Sequence, residues 1–265
     1  MLNQKVIIIT GASSGIGKEI ASQAAQNGAR LVLVARRQEL LESLKQTLID
    51  QFQAEVRIEV ADMSNRIDIE RVVAQTKQHF GRIDVLINGA GYGTFKRATE
   101  FSYSEMQDMF AVNTFGMMYL SQLVAAEMIQ QGSGHLFFIA SIAGKLATPS
   151  TSVYSASKFA VIGYANALRL ELKDAGIHVT TVNPGPVNTP FFSRDAQSER
   201  YFERVKRYSL RPEMLAKQMI QAITRPKREL NLPITLHIAS KLAVLFPKIA
   251  DYLIVKHFNF KEDSL

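Results

Sequence analysis

Short, uninterrupted apolar runs recur along the first two thirds of the chain, each followed by a longer segment of helical periodicity. Val6-Ile7-Ile8-Ile9 is apolar and β-branched without a break, the pattern of a strand covered on both faces. A glycine-bearing turn follows, then a helix over residues 18–27 that closes at Gly28. Strands at 31–34, 56–60 and 83–87 alternate with helices at 38–51 and 67–80, the latter closed by Gly81. Two further strands, 136–140 and 179–182, each follow a long helical stretch, and a helix at 213–224 precedes a last strand at 229–232. Strand, helix and strand in regular order require a parallel sheet with right-handed crossovers, a doubly wound α/β fold with helices on both faces. No Gly-, Pro- or Ser-rich linker interrupts the 265 residues, so one domain over residues 1–233 is expected, with 234–265 as a helical extension kinked or bounded at Pro247.

Composition narrows the chemistry. A chain that is 47% hydrophobic and 21% charged is neither disordered nor collagen-like. The absence of cysteine removes disulfides, thiolate metal sites and cysteine nucleophiles, and fits a reducing, cytoplasmic setting. The net charge of +7 is unevenly placed: residues 1–189 carry 17 basic and 16 acidic side chains, residues 190–265 carry 14 and 8. No signal peptide is expected, because the N-terminus lacks a basic region followed by a long apolar run. No window reaches about 18 uncharged apolar residues, so a soluble or at most peripheral protein is expected.

Three places carry chemistry. The first strand runs into Thr10-Gly11-Ala12-Ser13-Ser14-Gly15-Ile16-Gly17 before a helix begins. Gly11, Gly15 and Gly17 let the backbone approach a pyrophosphate closely, whose charge the free N–H groups of the helix start can bind. The second strand ends at Ala35 without a carboxylate and is followed by Arg36 and Arg37. An acid there would select NAD through the ribose hydroxyls; a guanidinium grips a 2′-phosphate, so NADP(H) is expected, with Arg36 as the ligand and Arg37 in support. Tyr154 and Lys158 share a helix face, and Ser141 follows an apolar strand at the end where open parallel sheets bind ligands. A phenol with a pKa of about 10 needs help as a proton-transfer group near neutral pH, and a neighbouring ammonium is expected to lower it.

These residues resemble the short-chain dehydrogenase/reductase family. Thr10-Gly11-x3-Gly15-x-Gly17, Asn88-Gly89-Ala90-Gly91, Ser141, Tyr154-Ser-Ala-Ser-Lys158 and Pro184-Gly185 stand in that family's order over residues 5 to about 232. The resemblance implies a Rossmann-type fold and an oxidoreductase of its NADP-preferring branch, passing hydride between nicotinamide and a small-molecule carbonyl or alcohol. It implies Tyr154 as general acid/base, Lys158 on the ribose hydroxyls, Ser141 orienting the carbonyl, and Asn113 keeping a relay water. Cofactor contacts would come from Gly11, Ser13, Ser14, Gly15, Ile16 and Gly17, from Arg36, Arg37, Asp62 and Met63, and from Asn88 and Ala90. Pro184, Gly185, Val187 and Thr189 would complete them beside Tyr154 and Lys158, with Asp62 on the adenine amino group and Thr189 as hydroxyl donor to the carboxamide. The family usually carries two asparagines where Asn88-Gly89 stands, and the glycine is expected to loosen that turn. Family members often form dimers or tetramers through helices near 105–131 and 153–175, so a homodimer or homotetramer is expected. A non-catalytic NADP(H)-binding sensor or scaffold is the rival reading, since fold does not guarantee activity.

Beyond these positions, Phe191, Phe192, Tyr201, Phe202 and Tyr208 interleave with Arg194, Arg200, Arg204, Lys206 and Arg207. Residues 190–210 read either as a substrate lid with cations for an acidic substrate or as an amphipathic helix with solvated charges. Nothing matches a nucleic-acid reader module. His79, His135, His178, His237 and His257 lack metal-ligand spacing and read as scattered surface residues; no metal is expected. The apolar 234–258 segment reads first as packing in the core or on a neighbouring subunit. Cover for the pocket, or weak contact with a membrane surface through Lys241, Lys248, Lys256 and Lys261, are the alternatives.

Overall fold

A computed structural model describes Leu2 and residues 4–258. Seven parallel strands form one sheet: β1 (Val6–Thr10), β2 (Arg30–Ala35), β3 (Val56–Val60), β4 (Val85–Asn88), β5 (Gly134–Ile139), β6 (Ile177–Pro184) and β7 (Glu229–Leu232). They lie in the order β3-β2-β1-β4-β5-β6-β7, a Rossmann-type sheet whose direction of winding reverses between β1 and β4.

Helices α1 (Gly15–Gln26), α2 (Gln38–Phe52) and α8 (Pro212–Thr224) cover one face; α3 (Arg66–Phe80), α5 (Met117–Gln131) and α6 (Ser152–Glu171) cover the other. The strands are apolar without alternation for this reason. In β1, Ile7 and Ile9 join the α1–α2–α8 core while Val6 and Ile8 join the opposite one, and all four are fully buried. One helical run, Tyr103–Gln131, is long and apolar enough to cross a membrane by length and composition. Its apolarity serves the core: Met117, Leu120, Val124 and Met128 pack under the sheet.

Two features escaped the periodicity. Helix α4 (Tyr103–Phe110) is joined to α5 by a π-helical turn, Ala111–Gly116. Gly116 passes Met63 so closely that a Cβ would stand 1.9 Å from its carbonyl oxygen. Helix α1 also starts three residues earlier than its periodicity indicates, so the last glycines of the turn form its first turn.

His135 is not on the surface as expected. It is 4% exposed in β5, stacked on Phe137 at 4.0 Å. Thr180 Oγ1 spends its one hydrogen on the Lys227 carbonyl, so His135 Nε2, 2.8 Å away, must be the donor and Nδ1 carries no proton. Burial, with His178 and Lys5 nearby, pushes its pKa down to about 3. The unfolded chain therefore binds a proton below about pH 6.5 that the folded chain refuses until about pH 3. Stability is complete above that window and falls by about 1.4 kcal/mol per pH unit within it. Urea titrations at pH 7 and pH 5 are expected to differ by about 2 kcal/mol more for the wild type than for His135→Gln. Equal differences would show that His135 takes up its proton as readily in the folded chain as in the unfolded one.

Helices α9 (Ile234–Leu245) and α10 (Pro247–Phe258) follow β7, with Pro247 at their boundary. The expectation of core packing fails: among the described side chains of the pair only Ser240 is buried, and neither helix lines the cavity described below. Lys261 and the His257 side chain lie outside the described part.

Candidate active site

A cavity of about 470 Å³ opens at the carboxyl ends of the strands, beside the reversal point between β1 and β4. Thr10 Oγ1, at the end of β1, accepts from the N–H groups of both Gly89 and Ala90 at 3.0 Å. A Cβ on Gly89 would stand 2.7 Å from the Thr10 carbonyl oxygen, so glycine permits this close seam. The turn is clamped, not loosened as expected. Asn88 is also placed differently: its side chain is buried and donates to Ser121 Oγ at 2.9 Å, and Gly89, Ala90 and Gly91 form the cavity wall.

One half of the cavity is built for an anion. Gly11, Ser13, Ser14, Gly15, Ile16 and Gly17 line it, and Gly17 lies so close to the turn that a Cβ would be 2.3 Å from the Gly11 carbonyl oxygen. Ser14 caps α1 without a side-chain hydrogen bond, and no acidic residue occupies the first turn. The helix thus presents unspent N–H groups and its positive pole to the cavity. Arg37 donates to Ser13 Oγ at 2.9 Å and Ser14 Oγ at 3.0 Å. Arg36, 68% exposed, stands 3.6 Å from Asp62. Burial alone would raise the Asp62 carboxyl, but two Ser64 hydrogen bonds and the Arg36 charge outweigh it and hold the carboxyl below its ordinary value. These groups fit an adenine nucleotide carrying phosphates, with Ala61 and Met63 as apolar floor.

The other half gathers Ser141, Tyr154 and Lys158. Ser141 stands just beyond β5 and accepts from the Ala143 N–H at 3.1 Å, capping the Ile142–Gly144 turn. Helix α6 aims Tyr154 and Lys158 at the same spot, both nearly inaccessible. Burial pushes the Tyr154 hydroxyl up, and a Ser141 side-chain hydrogen bond opposes it only in part. Lys158 donates to the Ile139 carbonyl at 3.0 Å, and burial lowers its pKa to about 8. The expected lowering of Tyr154 by Lys158 is therefore absent in this geometry: the ammonium faces a carbonyl, 5.8 Å from the phenol ring centre. Pro184, Gly185, Val187 and Thr189 close this side.

Asn113 does not line the cavity. From the π-helical turn its amide clamps the Tyr92 backbone, accepting from the N–H at 2.9 Å and donating to the carbonyl at 2.8 Å, and it also donates to Ser157 Oγ at 3.2 Å. Sequence reasoning missed Tyr92 and Phe95, although Gly91-Tyr92-Gly93-Thr94-Phe95 follows a strand end, where such aromatics face a ligand crevice. Phe95 stacks on Tyr201 at 4.4 Å and lies 5.4 Å from the Tyr154 ring. Phe191 and Phe192 complete an apolar chamber above Tyr154.

The 190–210 segment covers this chamber as a Pro190–Phe192 turn and helix α7 (Ala196–Val205). Of its basic residues only Arg194 lines the cavity, laid over the Tyr92 ring at 3.9 Å. Arg200 and Arg204 lie with Glu199 and Glu203 in a separate outer groove.

The model of the short chain dehydrogenase family matches residues 5–200. An uncharacterized oxidoreductase of Staphylococcus aureus (strain USA300) is 34% identical over 227 residues, covering 86% of this chain and 94% of that relative. The crystal structure of a short chain dehydrogenase/reductase from Burkholderia phymatum in complex with NAD superposes with a TM-score of 0.87 at 26% identity, over 94% of this chain and 95% of that one. A short-chain dehydrogenase from Sphingobium yanoikuyae in complex with NADPH gives 0.80 at 27% identity, with the same coverage.

Proposed function

The chain belongs to the short chain dehydrogenase family, and from that premise we propose an NADP(H)-dependent oxidoreductase that reduces a carbonyl or oxidises an alcohol. The observation that carries this reading is the convergence of Ser141, Tyr154 and Lys158 on one end of a cavity whose other end is an uncapped helix start flanked by two arginines. A bound nicotinamide nucleotide supplies or accepts the hydride. The protein handles the proton. Burial keeps the Tyr154 hydroxyl protonated at neutral pH, so it can donate to a carbonyl oxygen in the chamber, where the Ser141 hydroxyl orients that oxygen. Lys158, cationic below about pH 8, presents donors to ribose hydroxyls. Asn113 acts at one remove, holding Tyr92 and the turn before Lys158; a relay water beside it belongs to the same proposal. A sensor or scaffold role finds no support in a cavity that assembles the proton-transfer set.

Nicotinamide complexes of both kinds occur among the related structures, so the preference for NADP(H) rests on this chain's own residues. The strand ends at Ala35 with no carboxylate, Arg36 is solvent-facing at the cavity edge, and Arg37 is already fixed on Ser13 and Ser14. Loss of one charge-assisted contact costs about 1.5–3 kcal/mol, so Arg36→Ala is expected to weaken NADPH binding about 10- to 100-fold. NADH binding should be nearly unchanged. Equal weakening of both nucleotides would overturn the assignment. Assembly into two or four copies is part of the proposal, supported by exposed Phe115 in the π-helical turn before α5 and by Phe159 and Leu170 on α6.

A further inference from the structure

Ten of the twenty large apolar side chains exposed among the described residues fall between Ile234 and Val255. They sit on α9 and α10 and at Phe246 between them, and the pair is rooted beside the cavity: Leu236 presses on Gly185, a cavity-lining residue, and α9 packs on the Ile142–Gly144 turn. The described charges of the pair are Lys241, Lys248, Asp251 and Lys256, a net of +2.

We propose that α9 and α10 lie flat on an anionic phospholipid surface and hold the cavity mouth against it. Two observations choose a bilayer over a second copy of the chain, and helix length then sets how the pair lies on it. Ile234, Ile238, Lys241 and Leu245 share one face of α9, so a lysine stands inside the apolar stripe. Protein interfaces deplete lysine from such a position, whereas a membrane surface accepts it because the stem buries and the ammonium reaches the headgroups. Tyr252, with Lys256 at 5.8 Å over its ring, repeats the apolar body and polar tip on α10. Each helix has 12 residues, about 18 Å, too short to span a hydrocarbon core of about 30 Å, so the pair must lie in the interface plane.

The proposal also names a substrate class, a clause that rests on the oxidoreductase reading above. A chamber walled by Phe95, Phe191, Phe192 and Tyr201 at the root of a lipid-seated helix pair suits an apolar carbonyl compound drawn from the bilayer.

Flotation of the full-length protein with phosphatidylcholine vesicles, with and without phosphatidylglycerol, tests the docking without any turnover. A net charge of +2 is expected to give about 30-fold tighter binding to the anionic vesicles at low salt. Replacing Lys241, Lys248 and Lys256 by Gln should remove that preference. Leu245→Glu with Leu253→Glu, both at exposed positions, should abolish binding to either vesicle while NADPH binding is kept as proof of folding. Equal binding to both vesicle types, undiminished binding by the Glu variant, or a dimer that this variant converts to monomer would overturn the proposal. Turnover of a long-chain aldehyde dissolved in the anionic vesicles is expected to exceed that of a short water-soluble ketone by about tenfold or more in kcat/KM. If the short ketone is turned over as well while docking persists, the substrate clause fails alone. If no carbonyl is turned over while docking persists, the oxidoreductase reading fails and the docking surface stands.

Discussion

Tyr154→Phe is expected to lower turnover by about 100- to 10,000-fold while leaving NADPH binding within about threefold of wild type. The ring stays: it still fills the space 5.4 Å from Phe95 and 5.8 Å from Phe191, so the chamber keeps its shape. What disappears is the one hydroxyl that burial holds protonated beside Ser141. Steady-state kinetics and nucleotide fluorescence on the same preparation separate the two effects. Turnover near the wild-type rate would remove Tyr154 from the acid role and with it the proposed mechanism.

Gly17→Ala should damage the opposite half of the cavity. Its Cβ would stand 2.3 Å from the Gly11 carbonyl oxygen and 3.1 Å from Ala12 Cα, so α1 must withdraw from the turn it now touches. The displaced backbone is the one whose N–H groups face the cavity, and NADPH affinity is expected to fall by about 100-fold or more. Overpacking of this kind also costs about 1–3 kcal/mol of stability. Gly163→Ala in α6 is the control, because nothing lies within 4 Å of the added carbon; the better helix propensity of alanine should raise stability by up to about 1 kcal/mol. Wild-type NADPH affinity in Gly17→Ala would show that the close approach has no part in binding.

The sheet and the two ends of the cavity were legible because each is encoded locally. A strand buried on both faces must be apolar throughout, as Val6-Ile7-Ile8-Ile9 is, and a helix start pressed on a turn must carry glycine, as Gly11 and Gly17 show. What the sequence hid is non-local. Asn88 follows an apolar strand just as a cavity residue would, yet its side chain turns to Ser121 on α5, 33 positions away. Asn113, in the π-helical turn, bonds a backbone 21 positions earlier, and no periodicity records that. His135 looked like a surface residue because its type is polar; its Nε2 pairs with Thr180 across β5 and β6, a partner 45 positions away that no local pattern shows. The tail shows the converse: its composition is that of a core helix, and its placement is not.

Asn113 joins two parts of the molecule that have different tasks. Its amide holds Tyr92, whose ring carries Arg194 of the covering segment, and the same amide reaches Ser157, whose hydroxyl is given to the Tyr154 carbonyl. The chamber wall at Tyr92 and the first turns of α6, which carry Tyr154 and Ser157, therefore hang from a single bracket.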